Sequence, residues 1–476
     1  MISRTNIKIA AIWSSIEALS SVALSIISIV YLARILHPTD YGNIAMAQVM
    51  AGLLGLIFSF GFTEAIIQKK ELTDEIKETA FLSSVFFSIG VILVSIFVLL
   101  IFRLYVKQSI VSYIFIFEVL GVVFTLLSVL PTALLLRELN MSAFTKRTLI
   151  SKAIFFVVTI PLASMGYGVW SVVYGNLSQS LTSMILLFIA TRRLLPRRLK
   201  FNFAIFKELF SFGFYVMAEN ILWNVLSRVF SLLIASFHGT YALGLYNIST
   251  KITDAVLNVL NTIVSRMALP LFSQVQDDNS KLKGIFSKTT KFFNMISMPA
   301  FVGMAITCKE WVPMILGDRW QDAIPIIQII AVMYAIMYSR MFVGTTMKAV
   351  GQSKRYMILS AISATLSVIT VLMTKNMSLT STMIFWSSVR IIVTIPIGIY
   401  LMRKIIGMTC YEQLKPVFIP FISTLLMAAL LFMLEYYINI SMGLYASFIV
   451  NVLAGVVTYF IFYFLLTSIN KKLMVD

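Results

Sequence analysis

Apolar runs of about twenty residues recur along the whole chain, separated by short stretches that hold the charges and the turn residues. A helix of that length crosses a hydrocarbon core of about 30 Å, whereas a membrane β-barrel would show short alternating segments. The pattern predicts about fourteen spans, near residues 11–33, 42–67, 80–102, 110–135, 149–165, 168–190, 209–236, 243–268, 291–307, 323–347, 356–374, 379–402, 416–434 and 443–467. Turn chemistry marks most of the breaks: His37-Pro38-Thr39-Asp40, Gly166-Tyr167-Gly168, His238-Gly239 and Gly317-Asp318. Basic residues precede the first run, as in a signal peptide. The run continues to Leu32 without a small-residue cleavage site, so it reads as an uncleaved first span.

The pattern also repeats. Ser14 to Gln68 holds two apolar spans joined by a tight turn, with Glu17 inside the first and Gly42 opening the second; Val216 to Gln274 follows the same grammar. Glu17 and Glu219 are 202 residues apart, as are Gly42 and Gly244, and the two histidines, His37 and His238, are 201 apart. A polar, charged stretch follows each copy, Gln68 to Thr79 and Gln274 to Lys291. Two similar helical bundles in one chain are expected, the organisation of transporters built from repeats. The expected divisions are an N-terminal six-helix lobe over 1–200, a C-terminal one over 201–408, and spans 13 and 14 over 409–476, outside the repeat. Small residues within spans, such as Ala45, Ala51, Gly52 and Gly55, permit close helix approach.

Composition confirms the class. The chain is 59% hydrophobic and 12% charged, with mean hydropathy +0.93, too few charges for a soluble protein of 476 residues. The net charge of +18 would suit nucleic acid, but its distribution argues otherwise. With the N-terminus inside, 26 Lys and Arg fall on the cytoplasmic side, 6 on the outer side and 6 within spans. That bias is an orientation signal placing both termini in the cytoplasm, and no nucleic-acid partner is expected. The longest basic loop, Thr191 to Lys207, reads as an interfacial segment between the bundles, its Arg and Lys near lipid phosphates and Phe201, Phe203 and Phe206 at the boundary. Cys308 and Cys410 fall near opposite faces on this topology, which excludes a disulfide and argues against metal ligation.

Charges inside spans are costly and normally face a cavity or a partner. The candidates are Glu17, Glu118, Lys152, Glu219, Arg228, Lys251, Asp254, Arg266, Arg340 and Arg390. Lys152 and Arg266 lie near span ends and can snorkel. Arg228, Arg340 and Arg390 lie deeper, without an opposite charge nearby in sequence; as fixed cations lining a cavity they would suit an anionic cargo. Lys251 and Asp254, three apart on one helix, either neutralise each other or form a charged patch in that cavity. Glu17, Glu219 and Asp254 are the ion-coupling candidates, since a half-buried acid can carry a proton or pair with a cation. The alternative for Glu17 and Glu219 is a structural carboxyl bound to neighbouring backbone or to an arginine of another span. The histidines read as turn residues.

No membrane-embedded histidine, metal-ligand spacing, phosphate-cradling loop or nucleophile elbow is present in the sequence, and no ATP-binding motif. An enzyme is not expected; neither is a cofactor. Transport would draw on an ion gradient or on the cargo's own gradient.

The stretch YLARILHPTDYGNIAMAQVMAGLLGLIFSFGFTEAIIQKK resembles the opening of the polysaccharide-exporter branch of the multidrug/oligosaccharidyl-lipid/polysaccharide exporter superfamily, and GYGVWSVVYGNL, LGLYNISTKITDAVLNVLNTIVSRMALPLFSQVQ and AVGQSKRYMILS are similar to later landmarks of that branch. The run from Ala33 through Arg34, Leu36, Pro38 and Asp40 to Tyr41 and Gly42 carries most of the signal. The resemblance implies two six-helix lobes around a central cleft with two added helices, alternating access, and an undecaprenyl-diphosphate-linked oligosaccharide flipped across a bacterial inner membrane for capsule, lipopolysaccharide or exopolysaccharide synthesis. It implies a polymerase and a chain-length regulator as pathway partners, and a monomer is the default because the repeat already supplies two lobes. An ion-coupled multidrug antiporter or a lipid II flippase of the same superfamily is the alternative. Arg34, Gly42 and Gly244 are expected to serve structure or gating.

Overall fold

The structure is a computed structural model that describes the backbone of residues 4–59, 61–69, 71–105, 110–138, 140–196, 198–273, 275, 278–437 and 443–472. Its regular structure is all helical among these residues. In chain order the helices are α1 (Arg4–Ile35), α2 (Pro38–Ser59), α3 (Phe62–Gln68), α4 (Asp74–Tyr105), α5 (Ile110–Leu127), α6 (Val129–Arg137), α7 (Met141–Ser164), α8 (Val169–Thr191), α9 (Phe203–Ser273), α10 (Asn279–Ile306), α11 (Cys308–Trp311), α12 (Ile324–Met337), α13 (Phe342–Ala349), α14 (Ser353–Met373), α15 (Leu379–Ile406), α16 (Cys410–Tyr437) and α17 (Leu444–Lys472). Among the described residues eleven helical stretches are long and apolar enough to cross a membrane, or twelve if α10 and the turn after it, bent by 57°, form one span. Their lipid-facing character is plain in the many exposed large apolar residues, for example Leu93, Phe97, Val157 and Ile392.

These eleven or twelve stretches do not match the fourteen expected spans one for one. The spans expected at 209–236 and 243–268 lie in α9, which is two helices meeting without a gap at a kink at Gly239, within the expected His238-Gly239 turn; no other residue type adopts that glycine's φ of 85° and ψ of 171° without strain. Conversely, the span expected at 110–135 breaks at Ser128. Its hydroxyl bonds back to the Phe124 carbonyl at 2.7 Å, and Pro131 in the next turn lacks an N–H. The span expected at 323–347 tightens into a 3₁₀ turn at Tyr338–Arg340.

The chain divides into two compact units. One comprises Met1–Ser28 and Ile35–Gly244, the other Ile29–Arg34 and Leu245–Asp476. In the first, Phe62, Ile66, Leu130, Leu134 and Leu209 form a buried apolar cluster. Arg137 ties it together by donating to the Ile66 and Ile67 carbonyls at 3.2 Å and to that of Lys69. These are carbonyls at the end of α3 that no further turn can satisfy. Lys69 pairs with Glu208 at the start of α9. The basic loop before α9 is fastened to α4, with Lys200 N donating to Glu78 and Asn202 N to Thr79, both at 3.2 Å. Phe201 in that loop is exposed, as is Phe203 at the start of α9. In the second unit Phe272, Phe286, Phe293, Phe301 and Phe342 belong to one buried apolar cluster.

Candidate functional site

Within the first unit, α2 and α9 cross at Gly42 and Gly244. A Cβ on Gly42 would overlap the carbonyl oxygen of Thr240, and one on Gly244 would overlap that of Pro38. The contact is reciprocal in the 202-residue register, because Thr240 corresponds to Pro38 as Gly244 does to Gly42. Only glycine lets two backbones approach so closely.

About three turns further along α2, the guanidinium of Arg228 fills the space over Gly52. It donates to the carbonyls of Gln48 and Val49 at 3.5 and 3.4 Å. These are long bonds to acceptors already used by the helix, so most of its donor capacity remains. On the same stretch of α2 the Gln48 amide donates to Glu118 of α5 at 3.2 Å, and Asn176 of α8 donates to the same carboxylate oxygen at 3.1 Å. Glu118 stood out in the sequence as an in-span charge, but its two amide partners did not, since they come from 70 and 58 residues away.

Glu17, on α1, accepts from the Thr148 hydroxyl of α7 at 2.9 Å, and that hydroxyl accepts in turn from Arg147 at 3.0 Å. Lys152, one turn on, donates to the Ser21 carbonyl at 3.2 Å. A carboxylate, an arginine and a lysine thus share the α1–α7 contact. The side chains of Glu219 and Arg266 lie outside the described residues.

In the second unit a polar and aromatic cluster surrounds Asp254. The Tyr334 hydroxyl donates to its carboxylate at 2.7 Å. Tyr338 meets the Tyr334 ring edge-on at 4.9 Å between centroids. Tyr246 meets Trp386 edge-on at 6.3 Å, and Arg390 stands over the Trp386 ring at 5.0 Å. Lys251, one turn before Asp254, is exposed. Arg390 is half-buried and its Nε finds no acceptor. Among the described residues no carboxylate lies within ion-pair distance of Arg228 or Arg390.

Arg340 has a different setting. It is 7% exposed. Its guanidinium donates to the Ile395 carbonyl at 2.9 Å and to the side-chain oxygen of Gln413, and Gly398 leaves room for it. Gln413 is itself buried, and its amide donates to the Ile399 and Met408 carbonyls at 3.1 and 2.9 Å. Arg340 and Gln413 therefore join α15 to α16 across the Gly407 turn. Arg34, at the end of α1, donates to the carbonyls of Met314 and Ile315 at 2.8 and 2.9 Å, closing the end of a π-helical turn over Val312–Leu316. Beside it the fully buried Trp320 donates to the Ala33 carbonyl at 2.7 Å. No group of three or more His, Cys, Asp and Glu that could hold a metal ion occurs among the described residues.

Comparison with known proteins gives these placements a family. A membrane protein from the cps region of Klebsiella pneumoniae is 24% identical over 438 residues, covering 90% of this chain and 88% of that protein. The lipopolysaccharide biosynthesis protein WzxC of Escherichia coli K12 is 25% identical over 327 residues, covering 67% of this chain and 65% of WzxC. Among solved structures, the lipid II flippase MurJ in an inward closed conformation superposes with a TM-score of 0.77 at 14% identity, covering 98% of this chain and all of that one; this likeness concerns the fold. Residues 31–325, from the end of α1 to the start of α12, match the family described as polysaccharide biosynthesis protein. The chain belongs to the polysaccharide biosynthesis protein family.

Proposed function

We propose that this protein is a transporter, not an enzyme, that flips a lipid-linked oligosaccharide repeat unit, carried on undecaprenyl diphosphate, across the bacterial inner membrane by alternating access. The match of residues 31–325 to the polysaccharide biosynthesis family carries this reading. The chemistry of the in-span charges supports it. Arg228 and Arg390 are half-buried guanidinium groups without a carboxylate partner among the described residues, suited to the oxygens of a diphosphate or an acidic sugar. The tyrosines and Trp386 around Asp254 offer hydroxyl groups and apolar ring faces of the kind that hold sugars. Lys251 adds an exposed cation one turn away. Arg340, which donates to the Ile395 carbonyl and to Gln413, positions α15 against α16. Glu17, Glu219 and Asp254 remain the ion-coupling candidates, joined by Glu118.

In this reading 1–200 and 201–408 act as lobes about a cleft, 409–476 flanks the second, both termini are cytoplasmic, and a monomer works with the polymerase and chain-length regulator of its pathway. The test is a deletion strain whose lipids are extracted. Accumulation of an undecaprenyl-diphosphate oligosaccharide, relieved by the intact gene, is expected, and mass spectrometry then identifies the sugar. Arg228→Ala with Arg390→Ala, at normal protein level, should restore export at about a tenth or less of wild type, the loss of roughly one charged hydrogen bond or more. Absence of accumulation with raised sensitivity to cationic dyes would instead identify a drug antiporter.

A further inference from the structure

Away from these charges, α10, α16 and α17 enclose a cavity of about 430 Å³, within the range of about 300–1,000 Å³ typical of small-molecule sites. Its walls are apolar: Met295 and Pro299 from α10, Met427 and Leu431 from α16, Val456 and Phe460 from α17. The last two are 52% and 42% exposed, so the slot opens on the outside of the unit. Gly303 on α10 also lines it, and a Cβ there would meet no atom within 4 Å.

Polar atoms without partners lie in and behind this slot. Asn451, 2% exposed, turns its amide Nδ2 to Glu310 at 3.1 Å. The carboxylate fixes that orientation, since only the NH₂ end can donate to it, and Asn451 Oδ1 then has no donor. Glu310 is itself 7% exposed, and its Oε2 is equally without one. Eight residues along α17, about 12 Å, the hydroxyl of Tyr459 (2% exposed) lines the slot and also lacks a partner. Leaving such buried groups unsatisfied is costly. An occupant that satisfies them has an apolar chain, N–H donors at one end and an acceptor further down.

We propose that the cavity is a binding site for one phospholipid with a primary-ammonium headgroup. The acyl chain fills the slot. The ammonium donates to Asn451 Oδ1 and Glu310 Oε2, and an ester carbonyl accepts from Tyr459. Lys309, which neighbours Glu310 and pairs with Glu435 at 2.8 Å, supplies a cation for the phosphate. The polyprenyl carrier of the proposed cargo fits less well. Its tail has no hydrogen-bonding atom, and its diphosphate would meet the Glu310 carboxylate. A trimethylammonium head has no N–H, and a glycerol head leaves the lipid with a net negative charge beside Glu310 and Glu435.

The full chain, purified and placed in nanodiscs of equimolar phosphatidylethanolamine, phosphatidylcholine, phosphatidylglycerol and polyprenyl phosphate, is released for native mass spectrometry. One phosphatidylethanolamine is expected to stay bound, preferred about tenfold or more over each of the others, the worth of one charged hydrogen bond. Gly303→Phe, which fills the slot where a Cβ has room, and Asn451→Leu should each remove that retention. If Asn451→Leu fails to fold, Gly303→Phe alone decides. No retained lipid, equal retention of all four, preference for polyprenyl phosphate, or retention untouched by Gly303→Phe overturns the proposal.

Discussion

The two copies of the repeat make the same kind of crossing with different chemistry. In the first, α1 ends at Ile35 and α2 begins at Pro38, with only Leu36 and His37 between them. Pro38 at the first helical position needs no N–H partner and has a φ already helical. The His37 carbonyl accepts from Asp40 N at 3.0 Å and Tyr41 N at 3.2 Å, and the Asp40 carboxylate accepts from His37 N at 3.1 Å. In the second copy the residues 202 positions on from Leu36, His37, Pro38 and Asp40 are His238, Gly239, Thr240 and Ala242. There is neither proline nor capping carboxylate, and a single glycine takes up the whole change of direction. What the copies share is the glycine four residues after the proline position. Gly42 and Gly244 fix the approach of the backbones, and the turns before them are free to differ.

Replacing either glycine should therefore have the largest effect. In Gly42→Leu or Gly244→Leu the new Cβ meets a backbone carbonyl, which cannot rotate aside as a side chain can. Overpacking of this kind costs about 1–3 kcal/mol. Each variant should melt well below wild type in detergent and support little export. The double variant should lose less than the two losses added, because both act on one contact. Additive losses would mean the two positions do not face each other, and wild-type melting in both would mean the crossing does not form.

The next contrast lies in the turns. Gly239→Ala forces a side chain into a backbone conformation that is essentially glycine's alone, at about 1–3 kcal/mol. Pro38→Ala keeps a conformation any residue tolerates and should cost less than about 1 kcal/mol. Melting curves of the two variants test the order. If Pro38→Ala were the more damaging, the proline of the first turn, and not the positive-φ glycine of the second, would be the more demanding of the two.

These features differ in how far the sequence discloses them. The repeat is legible because Gly42 and Gly244 are demanded by backbone contact, and such demands survive as identities at fixed spacing. The helical membrane class is legible because lipid imposes hydropathy on every span. The helix boundaries are less so: the kink in α9 falls at the His238-Gly239 turn that the sequence marks, but the helix at 110–135 breaks at a serine inside an apolar run, where hydrogen bonding, not hydropathy, decides. The charged residues of the candidate site stand out as costly exceptions in apolar runs. Their partners do not. Gln413 is one uncharged amide near the start of α16, 73 residues from the Arg340 it accepts from, and Tyr334 is 80 residues from Asp254. Nothing in local sequence announces such pairs. Arg34 reads as structural or gating from its place at the end of the first span, but its targets, two carbonyls about 280 residues away, belong to a π-helical turn that hydropathy does not register.

The finest test of the comparison converts the chemistry of the first turn toward that of the second. Asp40 caps the turn through His37 N, and its counterpart in the second copy is Ala242, which makes no such bond. Asp40→Ala therefore removes from the first turn only what the second already does without. The cost should be about 1 kcal/mol, that of a lost helix cap, with export unchanged, because the Gly42 contact remains. Asp40→Asn keeps an acceptor and should recover most of the difference in melting. If Asp40→Ala abolished export at normal protein level while melting moved little, Asp40 would have a role beyond the turn. The likeness of the two copies would then extend only to the glycine crossing, with the first turn carrying a task the second lacks.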